Sequence, residues 1–168
     1  LADLPEGSKN KYAMVGFRVG NTLSENGTVS RGLCSTNEQG HLTTVVERTK
    51  IERHDNKVQY MEEDGSWTTV PDNTPTSMNV WGFTPDYLEY SDADFREFLS
   101  DPKNIENKKS EYYIPMMVNK LITNGTATVD VLDTTSTWFG VTYPADREGV
   151  VARIKQLVAD GVYPEKLF

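Results

Sequence analysis

A single cysteine, Cys34, is all the thiol chemistry this 168-residue chain carries. No internal disulfide can form, and a reducing, cytoplasmic setting is the expectation. Histidine is nearly as scarce. His41 and His54 stand alone and far apart, so no zinc-type ligand cluster is on offer. No apolar run is long enough to cross a bilayer and no signal peptide is evident, so no membrane partner is expected. Basic residues are outnumbered, 17 Lys and Arg against 25 Asp and Glu, for a formal net charge of -8. That balance argues against a general grip on nucleic-acid phosphates, but one local cation still suffices for a small phosphorylated ligand. Also missing is a Gly-rich strand-to-helix turn that would cradle nucleotide phosphates. Val15-Gly16 and Val19-Gly20 are too sparse to serve.

What is present reads as one domain with room for one core, with 37% hydrophobic and 25% charged residues. Tyr12 to Val19 has the β-formers of a strand. Val29 to Ser35 and His41 to Glu47 flank the hairpin signal Asn37-Glu38-Gln39-Gly40. A polar, peripheral hairpin is expected from Asn56 to Val70, turning at Asp64-Gly65. Thr76 to Thr84 reads as a further strand, closed by Pro85. Ser91 looks like the cap of a helix bearing Phe95, Phe98 and Leu99. Asp101 to Ser110 reads as a charged loop. Glu111 to Thr123 has helical spacing of Ile114, Met117, Val118 and Leu121, with Asn124-Gly125 as its stop. Strands follow at Thr126 to Leu132 and Trp138 to Thr142. A closing helix from Ala145 to Asp160 carries Val150, Val151, Ile154, Leu157 and Val158 on one face. Strands with interspersed helices make the fold α/β or α+β, and α/β, a mixed sheet with flanking helices, is the expectation. The opening Leu-Ala-Asp-Leu-Pro is an unnatural initiation, and the expectation is a processed or excised piece of something longer.

Four patches, in order, carry a family likeness: Arg31-Gly32-Leu33; Gly40 through Glu47-Arg48; Ser77-Met-Asn79-Val-Trp-Gly82-Phe83; and the run Glu111-Tyr-Tyr-Ile to Gly125. Together, and followed by a strand and Trp138-Phe-Gly-Val-Thr142, they resemble the C-terminal half of the sugar-1-phosphate nucleotidyltransferases. The resemblance implies the C-terminal portion of a Rossmann-like, GT-A type domain, residues 1–168 being its sugar-phosphate-binding part and the nucleotide-binding part lying outside this chain. The full enzyme would transfer a nucleotidyl group from a nucleoside triphosphate to a sugar 1-phosphate and release pyrophosphate. This piece alone would be inactive.

By the same resemblance, Gly32, Glu47, Arg48 and Asn79 are the substrate-binding candidates. A carboxylate at Glu47 can accept sugar hydroxyl protons, the Asn79 amide can both donate and accept, and Gly32 lets a sugar come close to the backbone. Arg48 is the catalytic candidate, a planar fork for the attacking phosphate at the tip of its strand. Mg²⁺ is the implied cofactor, with Thr142 and Asp146 as candidate oxygen ligands. Two other functions stay open: a non-catalytic carbohydrate- or partner-binding β-rich module, and a domain that only senses sugar phosphates. A half-domain should also leave a sheet edge or apolar patch exposed, a route to a homo-oligomer.

Overall fold

A computed structural model describes residues 1–141 and 143–166, with six strands followed by three α-helices, a seventh strand and a closing helix. The strands are β1 (Lys11–Arg18), β2 (Val29–Thr36), β3 (Leu42–His54), β4 (Lys57–Met61), β5 (Trp67–Val70), β6 (Pro75–Gly82) and β7 (Thr128–Thr134). The helices are α1 (Asp86–Ser100), α2 (Pro102–Glu106), α3 (Ile114–Thr123) and α4 (Asp146–Ala159). One mixed sheet runs in the order β5-β4-β3-β2-β6-β1-β7. Only β1 and β7 pair in parallel; the other neighbours are antiparallel.

The main core forms where apolar side chains of β1, β2, β3 and β7 meet α1 and α3. Tyr12, Met14, Cys34, Val45 and Val129 pack with Tyr87, Met117, Val118 and Leu121. Of the helical spacing read from Glu111 onward, Met117, Val118 and Leu121 face the core, while Ile114 is exposed and α3 begins only there. Phe83 stacks on Tyr87 with ring centroids 3.7 Å apart, and Tyr12 meets Phe83 edge-on at 5.2 Å, geometries that add to simple burial. The Asp86 carboxylate is buried beside this cluster and accepts hydrogen bonds from the Tyr12 hydroxyl (2.8 Å) and the Asn10 amide (3.0 Å).

Five expectations need correction. β3 does not stop at Glu47-Arg48 but continues to His54, because β4 supplies a second ladder for its later half. The hairpin that follows is not merely peripheral: Ile51, Val58 and Tyr60 build a second core with Val19 and Val29. α1 begins at Asp86, five residues before the expected cap, and Ser91 sits inside it with its hydroxyl donating to the Leu88 carbonyl. The charged stretch after Asp101 holds the short helix α2, capped by the Asp101 carboxylate and opened by Pro102. No strand is found over residues 138–141, and Thr142 lies outside the described residues. The closing helix forms as expected, but α4 buries none of its residues, and Val151 and Ile154 remain exposed.

Candidate functional site

The sheet opens between β2 and β6. These neighbours pair only at Gly32–Ser77 and Leu33–Thr76 and then part. A cavity of about 470 Å³ occupies the gap, roofed by the first turns of α3. Its lining includes Arg31 and Gly32 from β2, Glu47 from β3, Ser77, Met78 and Asn79 from β6, and Tyr113, Met116 and Asn119 from the α3 region.

Local backbone geometry accounts for three successive residues of β6 facing one space. A regular strand turns alternate side chains to opposite faces. Here the β1–β6 register shifts between Met14 and Gly16, and Asn79 takes a left-handed φ of 58°. Asparagine tolerates that region better than most residues. The Asn79 amide N–H donates to Ser77 Oγ (3.2 Å), and the Trp81 indole N–H donates to Asn79 Oδ1 (3.4 Å). The strained residue is thus held at both ends, and strain held in this way concentrates at functional sites.

The cavity's other wall depends on Asn119. Its Oδ1 accepts from the Val45 amide (2.9 Å) and its Nδ2 donates to the Val45 carbonyl (2.6 Å). The side chain thus imitates a neighbouring strand and fixes α3 over β3. Gly32 is small for a steric reason. A Cβ there would lie 2.8 Å from Val45 Cγ2 and 3.4 Å from Ser77 Cβ.

Glu47 makes no hydrogen bond or ion pair with any described residue, and burial pushes its carboxyl pKa up, against the pull of Arg31. Arg31 is shifted the other way: burial lowers it, against the pull of Glu47. The Arg31 guanidinium lies over the Trp138 ring at 4.9 Å.

Of the residues singled out from sequence, Gly32, Glu47 and Asn79 come together around this cavity, contributed by three strands. Arg48 does not join them. Its guanidinium bonds to Glu62 at 3.1 Å and lies over the Tyr60 ring at 4.5 Å, on the side of the second core. Because β3 runs on past it, Arg48 is a mid-strand residue pointing away from Glu47 rather than a strand-tip pair with it. Sequence reasoning passes over Tyr113, Met116 and Asn119. Their only sequence signal is membership of the Glu-Tyr-Tyr-Ile helix segment.

Asp146 lines a different cavity, of about 380 Å³, with Trp138 and Glu25. Its carboxylate accepts from the Tyr143 amide (2.7 Å) and from the Asn26 side chain. Thr142, the other candidate ligand, is outside the described residues. Among those described, no three His, Cys, Asp or Glu side chains gather as a metal site. With both Asp146 oxygens accepting hydrogen bonds, the described residues do not by themselves assemble the oxygen cage that Mg²⁺ takes. Also among the described residues, no helix is long and apolar enough to cross a membrane.

Searched against protein-family models and against curated proteins, the chain matches none.

Proposed function

We propose that the cavity between β2, β6 and α3 binds a sugar 1-phosphate, and that this chain is the sugar-phosphate-binding part of a nucleotidyltransferase. One observation carries the reading. Gly32, Glu47 and Asn79, far apart in sequence and each picked out by the family resemblance, line one cavity. A volume of about 470 Å³ suits a small polar ligand.

The division of labour follows from the groups present. Glu47, exposed at the cavity and without a hydrogen-bond partner among the described residues, accepts hydrogen bonds from ring hydroxyls. Asn79 offers its remaining amide protons to a further ring substituent. Gly32 lets the ring approach the backbone where a Cβ would collide. In the full reaction a phosphate oxygen of the bound sugar attacks the α-phosphorus of the nucleoside triphosphate. A new P–O bond forms as the bond to the β-phosphate breaks, and pyrophosphate leaves. Catalysis of this kind rests on positioning and charge neutralisation. This chain supplies the acceptor's position. The GT-A type arrangement and the nucleotide-binding portion belong to the same proposal. The exposed apolar side chains of Val80, Leu132, Val151 and Ile154 support a unit that other structure covers.

Calorimetric titration with a panel of sugar 1-phosphates tests the reading, with Glu47→Ala and Asn79→Ala as controls. Saturable binding weakened at least tenfold in both variants is expected. Equal binding by wild type and both variants would overturn it.

A further inference from the structure

We propose that Arg31, rather than Arg48, holds the anionic group of the ligand in this cavity. The inference rests on the sugar-phosphate reading above and assigns the charge recognition within it.

The seven arginines of this chain differ in how their charge is met. Arg18, Arg48, Arg53 and Arg96 each contact a carboxylate, those of Asp133, Glu62, Asp72 and Asp92 respectively, and Arg147 and Arg153 lie exposed to water on α4. Arg31 has no acidic side chain within 4.0 Å among the described residues. Its contacts are neutral: Nη1 donates to the Ser30 carbonyl (2.8 Å), Nη2 to the Thr22 carbonyl (2.6 Å), and the plane rests on Trp138. A guanidinium has five N–H donors, so most of its donor capacity finds no acceptor among the described residues. Its Nε is shut off from solvent without a partner.

A half-buried cation with no carboxylate in contact is costly, and leaving one in place at a cavity wall is explained by a ligand that supplies the missing anion. Arg31 pairs across the ladder with Arg48, and Gly32 with Glu47, so Arg31 leaves β2 on the face opposite Glu47. It still lines the same cavity, which opens where β2 and β6 part, so one molecule spanning that opening can offer hydroxyls to the acid and a phosphate to the base. The carbonyls of Ser30 and Thr22 and the Trp138 face orient the fork in advance, which lowers the cost of ordering it on binding. Arg48, by contrast, reaches a phosphate only by leaving Glu62 and Tyr60.

The test compares wild type, Arg31→Gln, Arg31→Lys and Arg48→Gln by calorimetry, with sugar 1-phosphates, the matching unphosphorylated sugars and inorganic phosphate as probes. Thermal melts establish that each variant is folded. Loss of about tenfold to a hundredfold in sugar 1-phosphate affinity in Arg31→Gln is expected, the size of a charge-assisted contact. Neutral-sugar binding should stay unchanged and Arg31→Lys should recover part of the loss, which a merely structural arginine would not produce. Binding lost in Arg48→Gln and kept in Arg31→Gln would overturn the assignment while leaving the sugar-phosphate reading intact. Arg31-dependent binding of inorganic phosphate, with no sugar phosphate bound, would support the anion site and remove the sugar. A folded wild type that binds none of these probes would overturn both.

Discussion

Replacing Asn119 with alanine should loosen the cavity from its roof. The side chain makes two hydrogen bonds to one residue, donating to the Val45 carbonyl and accepting from its amide. Each is worth about 1 kcal/mol net, and unpaired peptide groups left in a half-buried place cost roughly as much again. The sum is about 2–4 kcal/mol, which for a chain of this length lowers the melting temperature by roughly 5–15 °C. Val118 and Leu121 remain buried on the same helix, so the variant should still fold. Because Tyr113 and Met116 reach the cavity from the same segment, ligand affinity should fall as well. Asn119→Asp separates the bonds: a carboxylate can accept from the Val45 amide but repels its carbonyl, so it should be no better than alanine at neutral pH. Denaturant unfolding of the three proteins is the assay. An alanine variant within about 0.5 kcal/mol of wild type would show that the bidentate pairing contributes nothing, and that apolar packing alone seats α3.

Gly32→Ala should cost about 1–3 kcal/mol through the overpacking of Val45 and Ser77, and should abolish sugar binding in the calorimeter; unaltered affinity would mean the ligand does not approach β2 there. Tyr12→Phe removes the hydroxyl from the buried Asp86 carboxylate, a loss of about 1.5–3 kcal/mol at neutral pH. Burial alone would push the Asp86 carboxyl up, but the hydroxyls of Thr84 and Tyr12 and the Asn10 amide beside it hold it below the usual aspartate range. The stability tied to that carboxylate is therefore present above the unfolded value of about 3.9 and lost as pH falls through the lower folded value. The gap between wild type and Tyr12→Phe, followed by urea unfolding against pH, should narrow over that acid window, and a gap constant with pH would refute the argument.

The fold was legible where side-chain pattern alone decides structure. The β-rich runs Tyr12 to Val19 and Thr126 to Leu132 form β1 and β7 to within two residues at each end, and α3 announces its buried face through Met117, Val118 and Leu121. Errors arise where tertiary partners override local signals. Glu47 and Arg48 look like a strand's end because charge breaks the apolar run, yet ladders to β2 and β4 carry β3 through them. The two-residue turn Asp55-Asn56, with both φ positive, is itself a hairpin signal, and Asp101-Pro102 is a start signal for α2. At the site, Glu47, Asn79 and Gly32 are reached through resemblance. The roles of Asn119 and Arg31 depend on long-range geometry that no local pattern encodes.

The cavity is a place where several costs coincide. β2 and β6 stop pairing, Asn79 accepts a left-handed backbone, and, among the described residues, the exposed Glu47 has no partner and the half-buried Arg31 has no carboxylate in contact. Had stability alone shaped this region, the simplest repair would be to bring Glu47 and Arg31 into one ion pair, as Arg48 and Glu62 are across the sheet. Instead the two charges share a neighbourhood without touching. Each retains hydrogen-bonding capacity that a third body can use. A molecule with hydroxyls at one end and an anion at the other satisfies both in a single pose. A neutral sugar or a bare phosphate satisfies only one. That asymmetry is why the phosphorylated sugar, and neither half of it, should be the ligand that most raises this chain's melting temperature.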